Sequence, residues 1–393
     1  MKYLAILVSC LFFVSTFFVL SEKNNKIDVD EVRAIYVSYI EFDDYIKGKK
    51  EDESKKNIIE ILDNVKSLGL NTVIVHVRPF SDSIYESVYF PVSSSVLNDK
   101  GVYPSYDVLE FFINEAHKRN IRFEAWINPF RISNLKDISL LNDNSLYYKF
   151  YKSGNAKVTE SGIYLNPASG EVQDYIIEGI KEIILNYDVD AIHFDDYFYP
   201  DKLIDLDNYN NSNENIPIDQ YRLNVISSFI KNVYSEIKKT NNKVLFGIAP
   251  QGNIDNDYND CYLDVEKILS SKGYVDYIMP QIYFGFDNQT RPFIKTLNEW
   301  NDLIKVDSIK LIPALAFYKI GTIDNYALSG KNEWINNDDI IKKQIIISRN
   351  ESHYGGFSLF SYNYLFNKKY FKNNTLNELN NLKELLKSDV KGQ

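Results

Sequence analysis

The chain has 393 residues, 45% of them hydrophobic, which suffices for one large α/β barrel with insertions or for two ordinary domains. Its net charge of -10, with no basic stripe interleaved with aromatics, argues against nucleic acid as a partner, although a local basic patch would still admit an acidic polymer. Two cysteines and four dispersed histidines show no ligand spacing, so no metal and no cofactor are expected.

Lys2 is followed by an apolar run over 3–20 and then by polar residues 21–24. Segment 1–21 is therefore a cleaved secretory signal or an uncleaved membrane anchor, long enough to span a bilayer. Leu7 to Cys10 resembles a lipoprotein box, but almost no apolar core precedes it. All three readings place the rest of the chain outside the cytoplasm, after a linker over 22–30. Cys10 lies in this segment, which leaves Cys261 as a lone thiol and a small packing residue.

From there apolar runs of strand type alternate with helical periodicity. Strands are predicted over 33–39, 71–78, 121–127, 189–195, 243–249, 275–283, 310–317 and 354–361. Helices are predicted over 57–69, 106–120, 171–186, 221–239, 263–272, 291–304 and 338–349. Gly69 suits a helix stop. Eight near-continuously apolar strands separated by helices are the pattern of a closed (β/α)8 TIM barrel, here over 31–370. No Gly-rich phosphate loop follows the first strand, as a doubly wound sheet would tend to show. Polar insertions over 80–104, 131–170 and 201–220 follow strands two, three and four. The tail, 371–393, is expected to be a closing helix without chemistry.

In such a barrel the C-terminal strand ends converge on one cavity. The second strand delivers Arg78 and then Asp82. The third delivers Glu124, Trp126, Asn128 and Arg131, with Asn166 further along its insertion. The fourth is the most informative: a buried run ends in adjacent acids, Asp195 and Asp196, followed by Tyr197, Phe198 and Tyr199. The fifth delivers Asn253, and the sixth Gln281 and Tyr283. Acids perform proton transfer and aromatic faces stack on sugar rings, so the set suits glycan chemistry. Each also has a plainer reading. Trp126 and Tyr283 suit barrel-top packing, Arg78 with Glu124 a buried pair, and His193, mid-strand, a satisfied core histidine.

Several blocks taken together resemble the glycosyl-hydrolase-like family 10 proteins of bacteria. They are Gly69 to Pro79, Ser81 to Ser87, Ala125 to Arg131, Leu165 to Pro167, Val189 to Pro200, Phe246 to Pro250 and Val275 to Tyr283. The resemblance covers nearly the whole chain after Glu31. Two positions depart from the family pattern: Glu124 stands where many relatives carry His, and Gln251 to Asp255 replaces an aromatic and Gly-Ile-Trp run. The resemblance implies an extracytoplasmic TIM-barrel glycosidase acting on an N-acetylated cell-wall glycan, peptidoglycan strands above all. Catalysis would then fall to Asp195 and Asp196. Either they assist attack by the sugar's own N-acetyl oxygen, or one of them pairs with Asp82 or Glu124 across the cavity. Arg78, Trp126, Asn128, Arg131, Asn166, His193, Tyr197, Tyr199, Asn253, Gln281 and Tyr283 would bind the sugar, with Arg78 or Arg131 open to a muramyl carboxylate. The rival expectation is a glycan-binding protein without activity on the same scaffold.

Overall fold

The computed structural model describes residues 29–140 and 145–391. The signal or anchor expected at 1–21, Cys10 and most of the linker lie outside the described residues. Among the described residues, no helix is long and apolar enough to cross a membrane.

The core is a parallel sheet of nine ladder segments. In chain order they are Val32–Val37, Thr72–Arg78, Arg122–Ile127, Ala191–Phe194, Leu245–Ile248, Tyr277–Ile278, Lys310–Leu311, Ala314–Leu315 and Gly356–Leu359. The two ends of the sheet order, Lys310–Leu311 and Ala314–Leu315, are halves of one strand interrupted at Ile312 and Pro313. Proline has no N–H for the ladder, so the strand is split there. Its first half pairs with Tyr277–Ile278 and its second with Gly356–Leu359. Ala314 N donates to Pro280 O at 2.9 Å and Ser358 N to Pro313 O at 3.0 Å, which carries the ladder across the gap. Nine segments thus make eight strands, and the ring is closed: a (β/α)8 barrel.

Alternation along the strands sorts side chains into two cores. Ile35, Val37, Val73, Val75, Phe123, Ile192, Phe194, Phe246 and Ile248 point outward. They pack against helices Glu51–Leu68, Val108–Lys118, Gly170–Asn186 and Ile218–Thr240. Val32, Ala34, Tyr36, Ile74, Trp126, Ala191, Tyr277, Met279 and Ala314 fill the interior. Gly247 takes an interior position because a Cβ there would overlap the Tyr277 ring. Gly69 ends its helix at φ 88, as the sequence implies.

Differences from the sequence reading have local causes. The first strand stops at Val37 because Ser38 caps a short helix, Tyr39–Tyr45, with a capping box completed by Glu41. The first long helix starts at Glu51 rather than at 57, through a polar turn without hydrophobic periodicity. The insertion after strand three folds into a small antiparallel sheet of Arg131–Ser133, Ala156–Thr159 and Gly162–Leu165, beside helix Leu146–Lys152. The tail forms helix Thr375–Lys391, whose Leu382 and Leu386 are buried.

Candidate active site

Asp195 follows Ala191 and His193 on the inward face of the fourth strand and stands at its C-terminal end. Three N–H groups point at its carboxylate. Trp126 Nε1 donates to Oδ2 at 3.1 Å, Asn128 Nδ2 to the same oxygen at 3.2 Å, and the Tyr197 backbone N–H to Oδ1 at 3.4 Å. Asn128 is itself fixed, its Oδ1 accepting from Arg131 N at 3.1 Å. The Trp126 indole is held by His76, stacked on it at 3.7 Å between ring centres and 7° between planes.

Asp195 and Asp196 are both raised above the ordinary carboxylate range. Burial is the main cause for each; the charge of Asp196 adds to it at Asp195. Arg131 works against the shift at both residues, as do Trp126 at Asp195 and Gln281 at Asp196. Two acids this close titrate as a unit, and the pair holds its last proton more tightly than an isolated carboxyl would.

Two cavities meet at this pair. The inner one, about 370 Å³, is floored by Tyr36, His76 and Trp126 and walled by Arg131, Tyr283 and Phe360. Both acids line it. The outer one, about 630 Å³, is lined by Asp196 but not Asp195, together with amides and hydroxyls from the loops after strands five and six. Asp196, Gln281 and Tyr283 line both, so Asp196 stands at the junction. Arg131 is held by Phe80 and Tyr197, 4.6 and 4.7 Å from its guanidinium carbon, and by the Pro79 carbonyl at 3.3 Å from Nε. No carboxylate lies within ion-pair distance of it among the described residues, so its guanidinium edge is open to the inner cavity.

The residues singled out from sequence therefore divide. Asp195, Asp196, Trp126, Arg131, Tyr197, Gln281 and Tyr283 line the inner cavity, and Asn253 lines the outer one. Asn128 stands behind Asp195 as a positioning residue. His193 and Glu124 lie lower in the barrel. Tyr36 Oη is 3.0 Å from His193 Nε2, Tyr277 Oη is 3.1 Å from Nδ1, and Tyr277 donates to Glu124 at 2.6 Å. Burial pushes His193 down to about 3, so its ring is neutral. Glu124 also faces Arg122 at 3.4 Å and lines neither cavity.

Four residues lie away from the cleft. A register shift between His76 and Arg78 brings Arg78 opposite the outward-facing Ile127. There it donates to Pro129 O at 2.9 Å and covers the Phe90 ring at 4.2 Å. Asp82 closes a turn, accepting from Phe80 N at 3.0 Å. Asn166 donates to Asn208 at 2.8 Å within the insertions. Tyr199 donates to Asp205 at 2.6 Å, and Asp205 pairs with buried Arg222 at 2.9 Å. These anchor loops. Cys261 is a buried free thiol, and burial pushes its titration up.

Sequence reasoning passed over Tyr36, His76 and Phe360 as site residues. The signal was present for the first two: Ala34 and Tyr36, like Ile74 and His76, share an inward parity. Tyr326 in the outer cavity had no such signal, because it sits in a polar loop well past its strand.

The family described as glycosyl hydrolase-like 10 matches residues 31–334. A glycosyl hydrolase of Bacillus subtilis, YngK, is 30% identical over 378 residues, covering 90% of this chain and 72% of its own. DigH of Escherichia coli K12, also a glycosyl hydrolase, is 30% identical over 336 residues, 78% of this chain and 75% of its own. Among solved structures, the PgaB (BpsB) glycoside hydrolase domain of Bordetella bronchiseptica superposes with a TM-score of 0.56 at 11% identity, covering 91% of this chain and 99% of that domain. The catalytic domain of a Paenibacillus polymyxa β-amylase gives 0.54 at 11% identity over 92% and 98% of the two chains.

Proposed function

Because the chain belongs to the glycosyl hydrolase-like 10 family, we propose that it is a glycoside hydrolase cleaving an N-acetylated cell-wall glycan outside the cytoplasm, peptidoglycan strands first. The carrying observation is the asymmetry of the acid pair. Asp195 is pinned by three N–H donors, and Asp196 stands where two cavities join.

Both acids receive N–H donors, Asp195 from Trp126, Asn128 and the Tyr197 backbone and Asp196 from its own backbone and Gln281. We place the proton on Asp196 because it stands where the two cavities join and the departing oxygen must pass. An N-acetyl sugar in the inner cavity gives its amide N–H to ionised Asp195. Its acetamide oxygen attacks the anomeric carbon while Asp196 protonates the departing glycosidic oxygen. The leaving sugar occupies the outer cavity. Water then opens the cyclic intermediate, losing a proton to Asp196, and the product retains its anomeric configuration. No acid other than Asp195 and Asp196 lines the inner cavity among the described residues, which favours this route over a carboxylate across the barrel. The open edge of Arg131 suits the carboxylate of a muramyl unit. The apolar run at 3–20 supports export by a signal or anchor.

The test is incubation with purified peptidoglycan, intact and stripped of stem peptides. New reducing ends, with the retained anomer seen first by proton NMR, are expected. Asp195→Asn and Asp196→Asn should each lower cleavage by about 10²–10⁴-fold while remaining folded. Asp196→Asn should retain far more activity on a substrate with an activated aryl leaving group than Asp195→Asn does. Full activity of both single variants would sink the assignment, and co-sedimentation without products would make the protein a binder.

A further inference from the structure

We infer that the outer cavity is a binding site for the leaving-group side of the polymer, taking more than one sugar unit with Tyr326 as its stacking platform. This rests on the reading that Asp196 marks the point of cleavage.

The cavity is the larger of the two, about 630 Å³ against about 370 Å³, and shares Asp196, Gln281 and Tyr283 with the inner one. A chain whose reacting sugar fills the inner cavity therefore continues past Asp196 into a built space rather than into bulk water. A volume of this size falls within the range that buries a ligand much larger than one sugar ring.

The charges there are already answered. Arg291 is bound by Asp255 and lies 3.5 Å from Glu299, and Lys295 Nζ lies 3.6 Å from the same Glu299. The two cations face two carboxylates, so the wall offers no net charge to an ionic group beyond Asp196 itself. It offers instead directional polar groups. Asn253 engages its Oδ1 with the Asp255 N–H at 3.1 Å, and its amide NH2 has no partner among the described residues. Gln251, Asn256 and Thr290 add further amide and hydroxyl groups along the same wall. Sugar hydroxyls match such donors and acceptors.

Tyr326 supplies the apolar face. It lines the cavity yet is 86% exposed, among the most exposed large side chains of the described residues. An aromatic left uncovered at the lip of a polar cleft gains contact area when a sugar ring lies against it. Arg131, with its open edge, belongs to the inner cavity only, so a cation unpaired among the described residues faces the reacting sugar while the outer wall recognises rings and hydroxyls rather than charge.

The experiment uses the Asp196→Asn protein, in which an isosteric amide removes the proton donor and slows cleavage, titrated by NMR and calorimetry with β-1,4-linked N-acetylglucosamine oligomers of increasing length. Affinity should rise with length. Tyr326→Ala in this background should weaken the longest oligomer by roughly tenfold while the monosaccharide binds as before. Tyr326 is exposed, so its replacement leaves the fold intact. A monosaccharide site whose affinity gains nothing from added units, or a long oligomer bound equally by both proteins, would overturn the outer-site assignment alone. Absence of binding by any oligomer would overturn the glycan reading and the outer site with it.

Discussion

Asp195 and Asp196 both receive N–H donors, but only Asp196 lines both cavities, a difference invisible in a sequence that shows them as neighbours. Arg131 tunes both. Its charge lowers each acid, so Arg131→Gln should raise both apparent pKa values of the pair. The acid limb of kcat/KM reports ionisation of Asp195, and the alkaline limb reports loss of the Asp196 proton. Both limbs should therefore move to higher pH in the variant, by about a unit or less for a single charge. A pH–rate series on a neutral oligosaccharide reads this, and an unmoved profile would remove Arg131 from the electrostatics of the site. At this scale, legibility in the sequence followed strand parity. Asp195, Trp126 and Gln281 were placed because alternation carried through unbroken. Arg78 was misplaced because one extra residue in its strand reverses the parity, and no residue type announces that shift. Glu124 has the correct parity but sits one layer too low, where burial raises its carboxyl and Tyr277 hydrogen-bonds it.

Elements were legible where both faces of a segment are buried. Barrel strands read as apolar runs, and the helices behind them read by their inward stripe. The small sheet of the third insertion was not, because its strands are short and bounded by ordinary polar residues. Polar contacts between elements were equally hidden. Glu378 on the tail helix reaches the N-terminus of helix Ile340–Ser348, accepting from Ile340 N at 2.9 Å and Ile341 N at 2.8 Å. These are donors the helix cannot satisfy itself. Burial nevertheless dominates and pushes the Glu378 carboxyl up to about 7 from an ordinary 4.5. The folded state then holds this proton more tightly than the unfolded chain. Its contribution to stability is full below the unfolded value and is lost as pH rises through the folded one. Wild type should lose stability relative to Glu378→Gln between pH values of about 5 and 8, measured by urea unfolding at both. A difference independent of pH would show that the backbone donors hold the carboxylate ionised throughout. Glu378→Ala, which leaves those donors bare, should cost about 1–3 kcal/mol at the lower pH and less at the higher, where wild type has lost the same linked stability.

For the whole molecule, the decisive geometry is closure of the ring, and the seam lies between the first and last strands. Val32–Val37 pairs with Gly356–Leu359, and just before it Glu31 ties the seam shut. Its carboxylate accepts from Arg33 Nε at 2.6 Å, from Arg349 at 2.8 and 3.0 Å, and from the Tyr354 hydroxyl at 2.7 Å. The barrel is thus complete from Glu31 onward. A protein beginning at residue 29 keeps the seam contacts of Glu31 and should fold with a cooperative melt and hydrolyse soluble oligosaccharides. One beginning at residue 35 loses Glu31 and half of the first strand. It opens the ring, exposes the facing ladders of its two neighbours, and should fail to give a cooperative melt. A melt for that shorter protein matching the longer one would mean that closure is not what holds the strand ends in register. The acids on the fourth strand would then owe their positions to the insertions rather than to the barrel. Glu31→Ala separates the seam's charge network from the strand itself. It removes four hydrogen bonds without shortening the ladder, so it should lower the melting temperature while leaving a cooperative transition and the pH profile of the Asp195–Asp196 pair intact.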